Sequence, residues 1–203
     1  RCDRARVVGP EGEGVKGIRQ MLFPRSEPIE IGDWRSLPAF ERNLGDLVRH
    51  AANRGKGGAV KTGLAAALDR GFSHAVQIDA DGQHDLDAAG RLLDTAAQHP
   101  EALICGLPQF DESIPAGRYY ARFLTLGLTW VECLGRQIED AMCGFRVYPL
   151  QRIVPIIRRH RLGERMDFDP EILVRAVWAG IELVYVPVRV VYPEQGRSHF
   201  MYL

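Results

Sequence analysis

Closely spaced cysteines are missing from this chain. The four it has, Cys2, Cys105, Cys133 and Cys143, lie far apart and form no C-x-x-C pair, which speaks against a zinc site and a disulfide frame and fits reduced thiols in a cytoplasmic protein. An excess of one charge is missing too. The 26 basic and 26 acidic side chains cancel, so nothing in the total charge calls for nucleic acid as a partner. No apolar run reaches transmembrane length, and the first residues are charged where a signal peptide needs an apolar core. The chain opens on an arginine with no initiator methionine, so a fragment is expected. What is present is 203 residues of 46% hydrophobic content, enough for one core and most simply one domain.

The most informative stretch is His74 to His84, H-A-V-Q-I-D-A-D-G-Q-H. Ala75 to Ile78 is short, mostly apolar and partly β-branched, which predicts a buried strand ending at Asp79-Ala80-Asp81-Gly82. Two carboxylates at the carboxyl end of a strand sit where open α/β sheets bind ligands, and they repel unless a cation or proton neutralises them. Oxygen ligands suit Mg²⁺ or Mn²⁺, which bridge to substrate phosphates. A D-x-D there is a candidate site for a metal-bound nucleotide diphosphate; the competing reading is a polar turn with Gly82 at positive φ.

Asn53-Arg54-Gly55-Lys56-Gly57-Gly58 is a glycine-rich basic turn before a helix expected over Ala59 to Arg70. Glycines at a helix start let N–H groups approach an anion, so the turn is a candidate phosphate cradle or else a solvated loop. It is not a Walker loop, because Val60 stands where the second glycine belongs. Asp85 to Gln98 predicts a second amphipathic helix and Ala102 to Cys105 another buried strand, an alternation that suggests a parallel sheet covered by helices. Tyr119 to Leu134 is apolar almost all round, so it is either buried, the preferred reading, or lies against a membrane surface. Glu139 and Asp140 precede the glycine turn at Gly144, where a carboxylate can take a proton from an attacking hydroxyl, unless both are ordinary loop residues. Asp169 fits a helix N-cap with Pro170 at the first helical position and Ile172, Leu173, Ala176 and Val177 facing inward. Leu183 to Val186 and Val188 to Val191 read as two strands joined at Pro187. Upstream of residue 47, Arg6 to Val8 suggests a brief strand and Ser36 to Leu47 a short helix; no buried strand is expected over residues 1 to 46.

Five of these segments, N-R-G-K-G at 53 to 57, D-A-D-G-Q-H at 79 to 84, E-D-A-M-C-G-F-R-V-Y at 139 to 148, M-D-F-D-P-E-I-L at 166 to 173 and G-R-S-H-F at 196 to 200, resemble in order and spacing the family 2 glycosyltransferases. Within that family the similarity is to the dolichyl-phosphate-mannose-synthase-like branch and to bacterial relatives linked to lipid and aryl polyene biosynthesis. The resemblance implies an α/β GT-A fold, a Rossmann-like sheet with helices on both faces. It implies inverting, metal-assisted transfer of a sugar from a UDP- or GDP-sugar donor to a lipid-linked or polyprenyl-phosphate acceptor, by a cytoplasmic protein peripheral to the inner face of the cell membrane. By the same resemblance Asp79, Asp81 and His199 hold Mg²⁺ or Mn²⁺, and Arg54, Lys56, Asp79, Asp81 and Arg197 hold the donor diphosphate. Asp140 is then the general base, and Gly144, Phe145 and Arg146 form the acceptor-side turn. The family's amino-terminal P-x-Y-N and V-D-D-G-S motifs are absent from residues 1 to 52, so the expectation is an unassigned segment 1–46 and a partial GT-A domain over 47–203 that lacks its first strands. The alternatives are an inactive fragment or binding module of that family, and a metal-dependent nucleotidyltransferase or sugar-nucleotide pyrophosphorylase, which shares the acidic strand end.

Overall fold

In the computed structural model the described residues are 50, 52–79, 88–110 and 116–190, with the backbone of three short strands at 6–7, 18–24 and 47–48. In chain order the elements are β1 (Arg6–Val7), β2 (Ile18–Pro24), β3 (Leu47–Val48), α1 (Gly55–Asp69), β4 (Phe72–Asp79), α2 (Ala88–Gln98), β5 (Leu103–Phe110), α3 (Ala116–Cys133), β6 (Arg146–Pro149), α4 (Leu150–Arg159), α5 (Phe168–Trp178) and β7 (Leu183–Val190). The main sheet runs β2-β4-β6-β5-β7, and β1 pairs with β3 in parallel beside it.

Alternation along the strands builds the two cores. Ala75, Leu103, Cys105 and Tyr148 join one cluster with Val60 and Leu64 of α1, Ile153 and Val154 of α4, and Ile172 and Leu173 of α5. Val76, Ile78, Ile104, Val147 and Val188 point the other way, onto Ala89, Leu92 and Leu93 of α2. Side chains two apart share a face of a strand, so each central strand feeds both cores and helices cover both faces of the sheet. This is the expected α/β arrangement.

Several expectations are corrected. The sheet is mixed: β6 is antiparallel to both β4 and β5, so those two run parallel to each other with β6 between them, while β5 and β7 pair in parallel. Residues 18–24 form an edge strand antiparallel to β4. An edge strand needs no apolar face on both sides, and the mixed Ile18-Arg19-Gln20-Met21 run gives no alternation to read. Leu183–Val190 is one strand through Pro187; it lies at the sheet edge, where a missing N–H is tolerated. β5 likewise runs on through Pro108 to Phe110, past the point where β6 pairs with it. Helix α4, with Leu150, Ile153, Val154 and Ile157 at helical spacing, was hidden by Pro155 inside it. Helix α1 starts at Gly55, four residues early, and α2 is described only from Ala88. Of the helix expected over Ser36 to Leu47, only Leu47 is described, and it belongs to β3.

Candidate active site

Three parallel strands, β4, β5 and β7, end at one edge of the sheet, and β6 starts from that same edge because it runs the opposite way. Gln77 of β4 is level with Arg146 of β6, so Asp79, two residues on, closes β4 beside the segment that leads into β6. The structure thereby brings the first acidic strand end next to the 139–146 segment. Asp81, Arg197 and His199 lie outside the described residues. Among the described residues no group of three or more His, Cys, Asp or Glu side chains could hold a metal ion. Asp79, of the residue type whose oxygens suit Mg²⁺ or Mn²⁺, closes β4 at this edge, and the other two candidate ligands follow the ends of β4 and β7 in sequence.

Asp140 is 6% exposed, and its carboxylate is fully engaged. Oδ1 accepts the backbone N–H of Met142 at 3.0 Å and of Cys143 at 2.7 Å, the self-capping turn that aspartate favours before a glycine. Arg122 of α3 closes on the same carboxylate with two donors, Nη2 to Oδ1 at 2.8 Å and Nε to Oδ2. Such paired, charge-assisted bonds fix orientation as well as energy. Burial and then the negative charge of Asp140 push the Cys143 thiol up to about 12, so it stays protonated. The rest of the segment is held from several sides. Trp130 Nε1 donates to Ile138 O at 2.7 Å, Gly106 N donates to Phe145 O at 2.8 Å, and Arg146 Nη2 donates to Ala141 O at 3.1 Å. Gly106 permits that approach, since a Cβ there would meet Val188, Phe145 O and Cys143 Sγ at 3.0–3.2 Å.

Gly144 and Phe145 lie in this buried turn, and Phe145 is core. Arg146 is fully buried; its Nη1 donates to Asp169 O at 2.9 Å and stands 3.9 Å from Asp169 Oδ1. Asp169 is not an N-cap. Helix α5 begins one residue before it, with Asp167 in the cap position, and the buried Asp169 carboxylate faces Lys56 Nζ at 2.7 Å. N-capping and ion pairing ask for the same residue type, so the sequence alone favoured the local explanation.

The basic turn is packed against its own chain. Arg54 Nη2 donates to Glu164 Oε1 at 2.7 Å, Gly58 N to Glu164 O at 2.9 Å, and Lys61 Nζ to Leu162 O at 2.8 Å. A Cβ on Gly57 would lie 2.5 Å from Phe168 Cβ, and one on Gly55, where φ is +73°, would lie 2.5 Å from Glu164 O. These glycines seat α1 on the 162–168 segment. Arg54 and Lys56 are thus brought to Glu164 and Asp169.

The preferred reading of Tyr119 to Leu134 as a buried helix is also corrected. Leu126 and Thr129 of α3 are buried, but Leu124, Leu128 and Val131, at four- and three-residue steps, are 69%, 59% and 71% exposed, and Phe123 and Leu134 extend that face. No helix of the described residues is long and apolar enough to cross a membrane. Arg122, which the motifs had not singled out, is the one basic residue in this stretch; a lone arginine among apolar residues was the available signal that a carboxylate waits nearby.

The chain matches the family described as Glycosyl transferase family 2 over residues 44–149, about half its length. It is 26% identical to undecaprenyl-phosphate mannosyltransferase of Micrococcus luteus over 202 residues, covering 95% of this chain and 79% of that protein. It is 31% identical to dolichyl-phosphate beta-glucosyltransferase of Dictyostelium discoideum, covering 70% and 45% respectively. With polyprenol monophosphomannose synthase of Mycolicibacterium smegmatis it shares 26% identity over 75% of this chain and 58% of the relative. With these relatives alongside the mixed α/β sheet and the acidic strand end, the chain belongs to glycosyl transferase family 2, in its dolichyl-phosphate-mannose-synthase-like branch, and is a glycosyltransferase.

Proposed function

We propose that the protein transfers a sugar, with inversion, from a UDP- or GDP-sugar to the phosphate of a polyprenyl or dolichyl lipid at the inner face of a membrane. The observation that carries this reading is on one helix. Arg122 of α3 grips Asp140 at the sheet edge, while Leu124, Leu128 and Val131 of the same helix turn an apolar face outward. A lipid phosphate needs that combination, an apolar surface for its tail beside a cation for its head. The names of the relatives, with undecaprenyl phosphate, dolichyl phosphate and polyprenol in them, support the acceptor class.

In this reading Asp79, Asp81 and His199 hold Mg²⁺ or Mn²⁺, which neutralises charge on the departing nucleoside diphosphate. Arg54, whose side chain is half exposed, and Arg197 add positive charge on the donor side. A phosphate acceptor is already ionised near neutral pH, since its second pKa is about 6, and needs no base. Asp140 then serves by holding Arg122 toward that phosphate. The test is Asp140→Asn, assayed for transfer from a labelled UDP- or GDP-sugar to polyprenyl phosphate in vesicles. Losing one charge-assisted bond predicts a fall of roughly 10- to 100-fold, with nucleotide affinity unchanged. A loss of about 10³-fold or more would mark Asp140 as a base for a hydroxyl acceptor, and no loss would remove it from the site.

A further inference from the structure

The family resemblance puts Lys56 on the donor diphosphate, but its surroundings point elsewhere. Its side chain is only 14% exposed, and Nζ lies 2.7 Å from Oδ2 of the fully buried Asp169. The other oxygen of that carboxylate is 3.9 Å from Arg146 Nη1, which also donates to the Asp169 carbonyl oxygen at 2.9 Å. Arg146 in turn donates through Nη2 to Ala141 O, the peptide next to Asp140. Two charge pairs, Lys56 with Asp169 and Asp169 with Arg146, followed by the hydrogen bond from Arg146 to Ala141, therefore link the first turn of α1, the first turn of α5 and the turn that carries Asp140.

We propose that Lys56, Asp169 and Arg146 form a buried charge chain that positions the Asp140 turn, so that Lys56 acts on transfer through Asp169 and not by holding donor phosphate. For Lys56 to grip a diphosphate it would have to leave Asp169, and a fully buried carboxylate would lose its nearest cation, the costly way to break a buried pair. Leaving the chain intact carries no such cost. It also makes use of Asp169, which caps nothing, and of Arg146, which is too deeply buried to touch an acceptor. Lys56, Asp169 and Arg146 are positioning residues in this account, which rests on the reading that Asp140 serves the acceptor.

Cys143 reports on the turn without any need for turnover, because its N–H binds Asp140 and its thiol is buried, whereas Cys105 is buried in the neighbouring strand β5. In the full chain, Lys56→Met is expected to raise the rate at which N-ethylmaleimide labels Cys143 by about tenfold, while Cys105 stays within about twofold, since only the local segment opens. Affinity for UDP and for GDP, each with Mn²⁺, is expected to stay within about twofold by calorimetry, and Lys56→Arg to restore protection of Cys143. If Lys56→Met does not fold, Lys56→Gln, which keeps a donor for Asp169, takes its place. The inference is overturned if Cys143 stays protected, if both cysteines are exposed together, or if nucleotide affinity drops about tenfold or more. An Asp140→Asn enzyme with full activity would instead remove the role assigned to Asp140 while leaving the Cys143 result standing.

Discussion

Arg54 and Lys56 stand two residues apart in one turn, each within 2.7 Å of a carboxylate supplied by the segment that opens α5, yet the two pairs differ in kind. Arg54 and Glu164 are 48% and 47% exposed, whereas Lys56 is 14% and Asp169 0% exposed. Equal distances do not mean equal energies. Water screens the first pair and leaves both partners solvated when it breaks. In the second, Asp169 would be stranded where it cannot be rehydrated, so the pair holds structure in place even though forming it gains little over an apolar pair.

The largest effect that would separate the two pairs is Asp169→Ala. It leaves Lys56 and Arg146 buried without their carboxylate, and breaking a buried pair from one side costs about 3–5 kcal/mol. Urea unfolding should show this as a lower midpoint at unchanged slope. A loss as small as that of an exposed substitution would mean that the Asp169 site admits water and the contrast is false. Next comes Gly57→Ala. Its Cβ would stand 2.5 Å from Phe168 Cβ and 2.9 Å from Gly163 O, so α1 must back away from the segment that supplies both carboxylates. Overpacking of this sort costs roughly 1–3 kcal/mol, to be read in the same unfolding assay. A neutral result would show that the segment gives way freely and that close packing on Phe168 is not what the glycine serves.

Much of this region was legible beforehand, and the remainder failed for identifiable reasons. Strand β4 announces itself through Ala75, Val76 and Ile78, with Asp79 closing it, and the acidic cluster before Gly144 marks the turn that the structure places at the same edge. The β6 strand between β4 and β5 could not be foreseen, because four residues, Arg146–Pro149, carry no direction of their own. In sequence Asp169 reads as a local cap because its true partner, Lys56, lies far away in the chain. Arg122 had the same difficulty, since its partner Asp140 lies across the end of α3. Helix α3 reads as buried because apolar residues run almost all round it, and such a pattern does not say which face a fold leaves uncovered; Leu124 and Leu128 point away from the core that takes Leu126.

The smallest expected effect belongs to the exposed pair and fixes the sign of the comparison. The hydrogen bond and the charge of Arg54 hold the Glu164 carboxyl below its ordinary value. A carboxylate whose pKa is lower in the folded state contributes its stability above the unfolded pKa and loses it as pH falls through the folded one. Glu164→Gln should therefore melt slightly below the wild type near neutral pH, and the gap should close on acidification, when the wild-type residue is itself protonated. Added salt at neutral pH should close it as well, because both side chains are in solvent. Asp169→Asn should keep most of its deficit in the same salt, since little screening reaches a site with no exposure. Thermal melts of both variants across pH and ionic strength decide the matter: a Glu164→Gln gap that widens in acid reverses the sign, and one that persists in salt makes the two pairs alike.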